Sequence, residues 1–566
     1  MKPSCQKSVV VVLVLFFSNM ALPTIHNVPT DYTTIQAAVN ASADGDTVLL
    51  AHGTYYEQVN VNFRRLTLAG GFLFSHDTLD RDSTIITIPD SIRHGISDQR
   101  SVIHVHHSDD FRLIGVTLRD GLGTGFQSLP TTEYAVQGGC LFADSSRLTL
   151  VGCRIIKGFA EGAGGLALQF GKIFLSETAF DSNQAVGGEG WSSGALFADT
   201  DSLIFLRNRF FHNSADAAGA FQAQARMFGI IDSCQIIENN CNNYAGGLLC
   251  FGITEICGNQ IIGNRAIDNA GFIISNVSGW GGDGIFSNNV IRNNVKFGNY
   301  VDHGFSAGGI FQIDYSYHWE ISNNVFDGNV NEGSGEGVLM LQGGIFDVHS
   351  NTFNGNIGGT FSTCIRILSR ARATIDSNIF AYNVCTTNPN NSAIQFRQWP
   401  LSIRYNDFYG NAPCAINNCA ATDSLHADHN WWGDASGPTS ANNPGGHGDS
   451  VDFRIPYTPW LTSPVFPMAI KEPIISGIPT HFKLFQIAPN PFNSMTTIKY
   501  ELQKQNQVEI TLTDLTGRKV ETLFRGNLNP GIHTTTFRGA RYSSGTYFVH
   551  LRIGTQSQVK KVVLLK

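Results

Sequence analysis

The 566-residue chain has a formal net charge of -7, and 15% of its residues are charged, against about 25% in ordinary proteins. No basic stripe runs along it, which excludes nucleic acid as a partner. Its 59 glycines mark a turn-rich, strand-rich chain, and its length exceeds what one compact core holds, so more than one domain is expected.

At the N-terminus Lys2 and Lys7 precede an apolar run from Val9 to Phe17, which Ser18-Asn19-Met20-Ala21 follows. This pattern predicts a secretory signal peptide over residues 1–21, with cleavage near Ala21. The run is too short to anchor the chain in a bilayer, and no later segment reaches that length. In TTIQAAVNA, a Thr cap and a short helix are placed to cover the open end of a β stack. The segments DGDTVLLAHGTYYE and RLTLAGG then read as strands joined by turns. In VIHVHHSDD, strand alternation puts His104 and His106 on one face and His107 on the other, a solvated face rather than a metal site. Setting aside Cys5 in the leader, ten of the 11 cysteines remain, an even number in a chain bound for an oxidising compartment. Disulfides are therefore expected. Their pairing is open: Cys140 with Cys153, Cys234 with Cys241, Cys250 with Cys257 and Cys414 with Cys419 are local options, and Cys385 with Cys414 is a stacked one.

From Cys153 a six-residue phrase recurs ten times, from CRIIKG and TAFDSN through NVIRNN, NVFDGN and NTFNGN to NDFYGN. Its steps are 25, 30, 26, 25, 30, 35, 27, 27 and 28 residues. Periods of this size mark a solenoid, in which each unit buries its apolar face only by stacking on its neighbours. The apolar stretches are short and β-type, so each Phe or Ile of the phrase should point inward and stack about 4.8 Å from its counterpart. The Asn that follows is expected at a turn, where it tolerates left-handed backbone angles and can share amide bonds along the stack. The pairs Gly164-Gly165, Gly246-Gly247 and Gly308-Gly309 are expected at a second corner with positive φ.

The helix-then-GDTVLLAHGTYYE opening, together with the repeats, resembles the pectin lyase-like superfamily over about residues 28–465. The resemblance implies a right-handed parallel β-helix. That superfamily holds lyases, esterases, hydrolases, epimerases and non-catalytic adhesins, and the fold does not choose among them. Its enzyme signatures are incomplete in this chain: Val451-Asp452-Phe453, Gly446-His447-Gly448 and Asp109-Asp110 stand alone. The stretch from Asp428 to Phe453 resembles the closing coil of β-helix surface proteins, where Trp431 and Trp432 either cap the core or stack on sugar. Chemistry is best sought where the period breaks, because long loops on a rigid stack carry binding groups. There Trp280, Tyr300, Tyr315 and Trp319 are candidates for stacking on sugar, and Asp283, Asp302, His303 and Glu320 are candidate acids and bases, beside Arg292, Tyr317 and His318. Binding rather than catalysis is expected. The alternative is a lyase or hydrolase acting on acidic polysaccharide. No cofactor is called for, except that a lyase would imply Ca²⁺.

A Pro-marked linker spans 464–481, so the β-helix is placed at 22–463 and a second module at 482–566. Alternation in IKYEL, VEITLTDL and YFVHLRI predicts a small β-sandwich with one buried face per sheet. The module resembles the type A C-terminal sorting domain of the type IX secretion system, an Ig-like sandwich. The likeness rests on Pro489-Asn490-Pro491-Phe492-Asn493, on Gly517 and Lys519 in DLTGRKV, on Gly545 in SGTY and on the closing strand. It implies export through the periplasm to the cell surface or the medium. The resulting expectation is an all-β, monomeric surface protein that meets the outer-membrane secretion machinery and a polysaccharide or surface glycan.

Overall fold

The computed structural model describes residues 23–566 apart from 94–98, 128–133, 188–191, 277–280, 299–305, 334, 336, 369, 386, 387, 389, 390, 397–401, 419–425, 467–482, 485, 486, 488, 489, 491, 494, 503–505, 515–517, 529, 530, 554, 555 and 566. The predicted leader and most of the linker thus lie outside the described residues, as does Cys419.

Residues from Ile25 onward wind into a parallel β-solenoid of about 12 turns. The helix Ile35–Ala41 closes its start: the Thr34 side chain accepts from the Ala37 N–H, and Ile35, Ala38 and Val39 are buried in the solenoid core. The phrase supplies ten strands of a 13-stranded parallel sheet, whose rungs include Ala179–Asp181, Arg209–Phe211, Val325–Asp327 and Thr352–Asn354. Its central residue points inward at every repeat, from Ile155 through Phe326 to Phe408, and all are fully buried. Phe326, Phe353, Phe380 and Phe408 stack at 4.7, 4.9 and 4.9 Å, within 7° of parallel. Trp432, itself buried, continues this column at 5.1 Å from Phe408, and Trp431 is also buried. Trp432 therefore closes the core, and Trp431, which bridges to Asp407 on the alternate position, is covered as well, so neither offers a face to sugar.

The asparagines do more than turn the chain. Those that end the phrase, Asn183, Asn213, Asn239, Asn264, Asn294, Asn329, Asn356, Asn383 and Asn411, are buried and form a continuous ladder. From Asn213 onward each Oδ1 accepts both the backbone N–H and the side-chain amide of the asparagine one coil earlier, as Asn294 does for Asn264 at 3.0 and 3.0 Å. A second ladder runs through the opening position from Asn259 to Asn430. The left-handed backbone sits one residue earlier than expected, at positions such as Lys157, His212, Asn293 and Gly328 (φ 54°, 51°, 54° and 62°). The asparagine itself stays in place to bond along the stack.

Two further expectations change. The glycine pairs do not adopt positive φ; they permit close approach, since a Cβ on Gly247 would lie 2.3 Å from the Gly271 carbonyl oxygen of the next coil. No disulfide forms among the nine described cysteines, so the pairings expected between them are not made. Cys153 and Cys234 take the opening ladder position, while Cys250 and Cys364 are sealed in the sheet, so these thiols pack as small apolar groups.

The C-terminal module forms two antiparallel sheets. Lys483–Leu484, Met495–Leu502 and Gly531–Arg538 make one, and Asn506–Thr513, Lys519–Leu528, Gly545–Ile553 and Gln556–Leu564 the other. Alternate residues Ile498, Tyr500, Val508, Ile510, Leu512, Val549 and Leu551 share one core.

Candidate functional site

The outer face of the solenoid changes character where the repeat steps lengthen. The strands Glu255–Cys257, Gly284–Ser287, His318–Ser322 and Ile345–His349 pair in parallel, so that Glu255, Ile285, Glu320 and Asp347 fall in one row. Alternation sends Ile256, Phe286, Ile321 and Val348 into the core and this row outward. In preceding coils the same row reads Thr149, Phe174, Ile204 and Ile230, so the acidic character begins at Glu255.

The row floors a groove of about 430 Å³ whose walls include Thr254, Asp283, His318 and His349. Two imidazole–carboxylate pairs cross between adjacent coils. His318 Nε2 lies 2.9 Å from Asp347 Oδ2 on the next coil, and His349 Nε2 reaches back to Glu320 Oε1 at 3.3 Å. The Ser322 hydroxyl donates to the same Glu320 oxygen at 2.8 Å. Asp283 Oδ1 accepts the His318 backbone N–H at 2.8 Å, fixing the start of the strand that carries Glu320. These side chains are roughly one-third to one-half exposed, and exposed ion pairs contribute only about 0–1 kcal/mol to stability. Four carboxylates face two imidazoles, so the groove is net negative. It can accept hydrogen bonds from hydroxyl or amine groups, and each pair can hold or pass a proton.

The structure sorts the candidate residues. Asp283 and Glu320 share the groove, joined by His318. Trp319 does not line it. Alternation turns its indole inward, where it is fully buried, lies 5.3 Å from the Phe311 ring and donates from Nε1 to the Gly282 carbonyl at 3.2 Å. Gly284, its partner in register, leaves the space: a Cβ there would sit 2.3 Å from the indole. Tyr315 is exposed on the turn before His318, and Tyr317 packs against the core. Arg292 pairs with Asp327 on another face, at 2.8 Å. Trp280, Tyr300, Asp302 and His303 lie outside the described residues. Glu255, Asp347 and His349 were missed, yet a signal for them existed. The steps of 30, 35 and 27 residues that separate Asn259, Asn289, Asn324 and Asn351 also separate Glu255, Ile285, Glu320 and Asp347.

In the second module, Phe492 is buried, and its backbone bonds the final strand through Val563 and Leu565 at 2.9 and 2.8 Å. Asn490 clasps the same strand, accepting from Val563 N–H and donating to the Lys561 carbonyl. Asn493 is exposed, Lys519 pairs with Glu509 at 3.3 Å, and Gly545 opens its strand. Pro489, Pro491 and Gly517 lie outside the described residues.

The family model described as a secretion system C-terminal sorting domain matches residues 486–565. Among curated proteins no relative matches. Among solved structures, a tailspike protein gp49 from Acinetobacter baumannii bacteriophage Fri1, a capsular polysaccharide depolymerase, pairs with 97% of this chain and 78% of its own at 8% identity and a TM-score of 0.17. Similarity at that level does not extend an activity to this chain.

Proposed function

We propose that this protein, which carries a type IX secretion sorting domain and is secreted or held at the cell surface, binds a polysaccharide in the groove between Glu255 and His349. The leader at residues 1–21 would deliver it to the periplasm, and the C-terminal module would take it across the outer membrane. The observation that carries the binding reading is the row of outward acids and imidazoles, repeated at coil spacing on a rigid stack. Such a row can follow successive hydroxyl groups along a glycan. Its negative balance favours neutral or amine-bearing sugars, because a uronate polymer would meet four carboxylates without a bridging cation.

A second reading, acid–base cleavage of the bound glycan, is favoured by the crossed His318–Asp347 and His349–Glu320 pairs, which bring two proton-carrying groups to one stretch of groove. A glycan array with the full exported chain, followed by mass spectrometry of the incubated ligand, tests both. Binding with the ligand intact supports the first reading, and shortened products support the second. No binding to neutral, amine-bearing or acidic glycans would overturn both.

A further inference from the structure

Far from the groove, on the early coils, His106, His107 and Asp144 converge, and one ligand-capable atom from each lies within 4.8 Å of the others. Strand alternation alone would separate the two histidines. The strand Ile103–His106 ends there, however, and His107 takes a left-handed backbone (φ 47°) that swings its ring beside that of His106, with centroids 4.2 Å apart. Asp144 arrives from the next coil, directly opposite His106 in the parallel register, with its Oδ1 2.5 Å from His106 Nδ1. Backbone bonds hold both coils in place: Phe63 N–H donates to the His106 carbonyl at 2.9 Å, and His107 N–H to the Asp144 carbonyl at 3.2 Å. Phe63 lays its ring on His107 at 5.3 Å and 14° and turns an edge to His106, giving the imidazoles an apolar backing.

We infer that this cluster is a site for a divalent transition-metal ion, with Zn²⁺ the simplest occupant. Two imidazoles and a carboxylate match the ligand preference of Zn²⁺, Co²⁺ and Ni²⁺ and leave a coordination position open. Ligand atoms around a tetrahedral Zn²⁺ stand about 3.4 Å apart. The His106–Asp144 contact must therefore open by about 1 Å and the longer separations close by about as much, which side-chain rotation achieves without moving the coils. The ion would pin the coil of His106 and His107 to the coil of Asp144. Its role is therefore a clip between turns, independent of the glycan groove.

The test is Zn²⁺ titration of the full chain by calorimetry, with thermal melting and Co²⁺ absorption as parallel readouts. His107→Asn keeps a residue that tolerates left-handed backbone, and Asp144→Asn keeps the shape, so both variants should fold. The expected result is uptake of Zn²⁺ that raises the melting temperature, weakened about tenfold or more by either variant. His212→Asn, which alters an imidazole set between Asp181 and Glu238, should leave that uptake unchanged. Absence of Zn²⁺ uptake by the full chain would overturn the inference, as would uptake that survives both variants or is lost with His212→Asn.

Discussion

The buried asparagines decide how this chain holds its register. Each ladder amide satisfies two donors of the preceding coil and spends its own N–H groups on the next asparagine and on a carbonyl, as Asn294 does with Asn329 Oδ1 and the Ile261 carbonyl. Asn294→Ala would leave the Asn264 backbone N–H and one of its two amide N–H groups without an acceptor, while the other keeps the Ile236 carbonyl. It should therefore cost about 2–5 kcal/mol, read as a lowered denaturation midpoint; an unchanged midpoint would contradict the ladder's role. The ladder ends at Asp449, which accepts from Gly410 N–H, Asn411 N–H and the Asn411 amide on its two oxygens. A carboxylate has no N–H left to place, which suits the last rung. Burial outweighs these donors and pushes the Asp449 carboxyl up to about 6. The folded state thus holds its proton more tightly than the unfolded chain, and the stabilisation present below the unfolded value is lost as pH rises through about 6. Stability should fall by about 1–3 kcal/mol between pH 4 and 7 from this group, and Asp449→Asn should remove that slope in pH-dependent melting.

At the scale of the strand, His318–Ser322 shows how one element serves core and site together. Trp319 and Ile321 face inward while His318 and Glu320 face the groove, so the indole anchors the acid and base on either side of it. Gly284→Ala places a Cβ against that indole and should destabilise the solenoid by about 1–3 kcal/mol. It should also weaken ligand binding by displacing His318 and Glu320; full binding with normal stability would show that the indole does not hold them. The phrase made the sheet and its inward column legible because its central Phe or Ile follows directly from strand alternation. Trp319 was misread because the insertion hides the period. Counting back from Asn324 restores the alternation and sends the indole inward. The cysteines were misread for a different reason: at the opening ladder position a thiol replaces an amide, a choice that looks in sequence like half a disulfide. His107 escaped because one left-handed residue reverses a face.

The whole molecule joins a solenoid, whose regular coils supply rigidity, to a separate two-sheet module that matches a secretion sorting domain. In that module Asn490 and Phe492 bind the final strand, so part of the sorting motif holds the terminal strand in place. A chain lacking residues 482–566 should fold its solenoid but remain in the periplasm. Its normal appearance outside the cell, by fractionation and immunoblot, would contradict the export route. The central claim is that function resides where the repeat steps lengthen. It is tested most directly by measuring glycan affinity of the full chain against Glu320→Gln and Asp347→Asn, with Thr149→Ala on the regular coils as control. The account predicts about tenfold or greater loss for the two groove variants, since each removes a charged hydrogen-bond acceptor, and no change for the control. Undiminished affinity in both groove variants, or loss in the control, would contradict it.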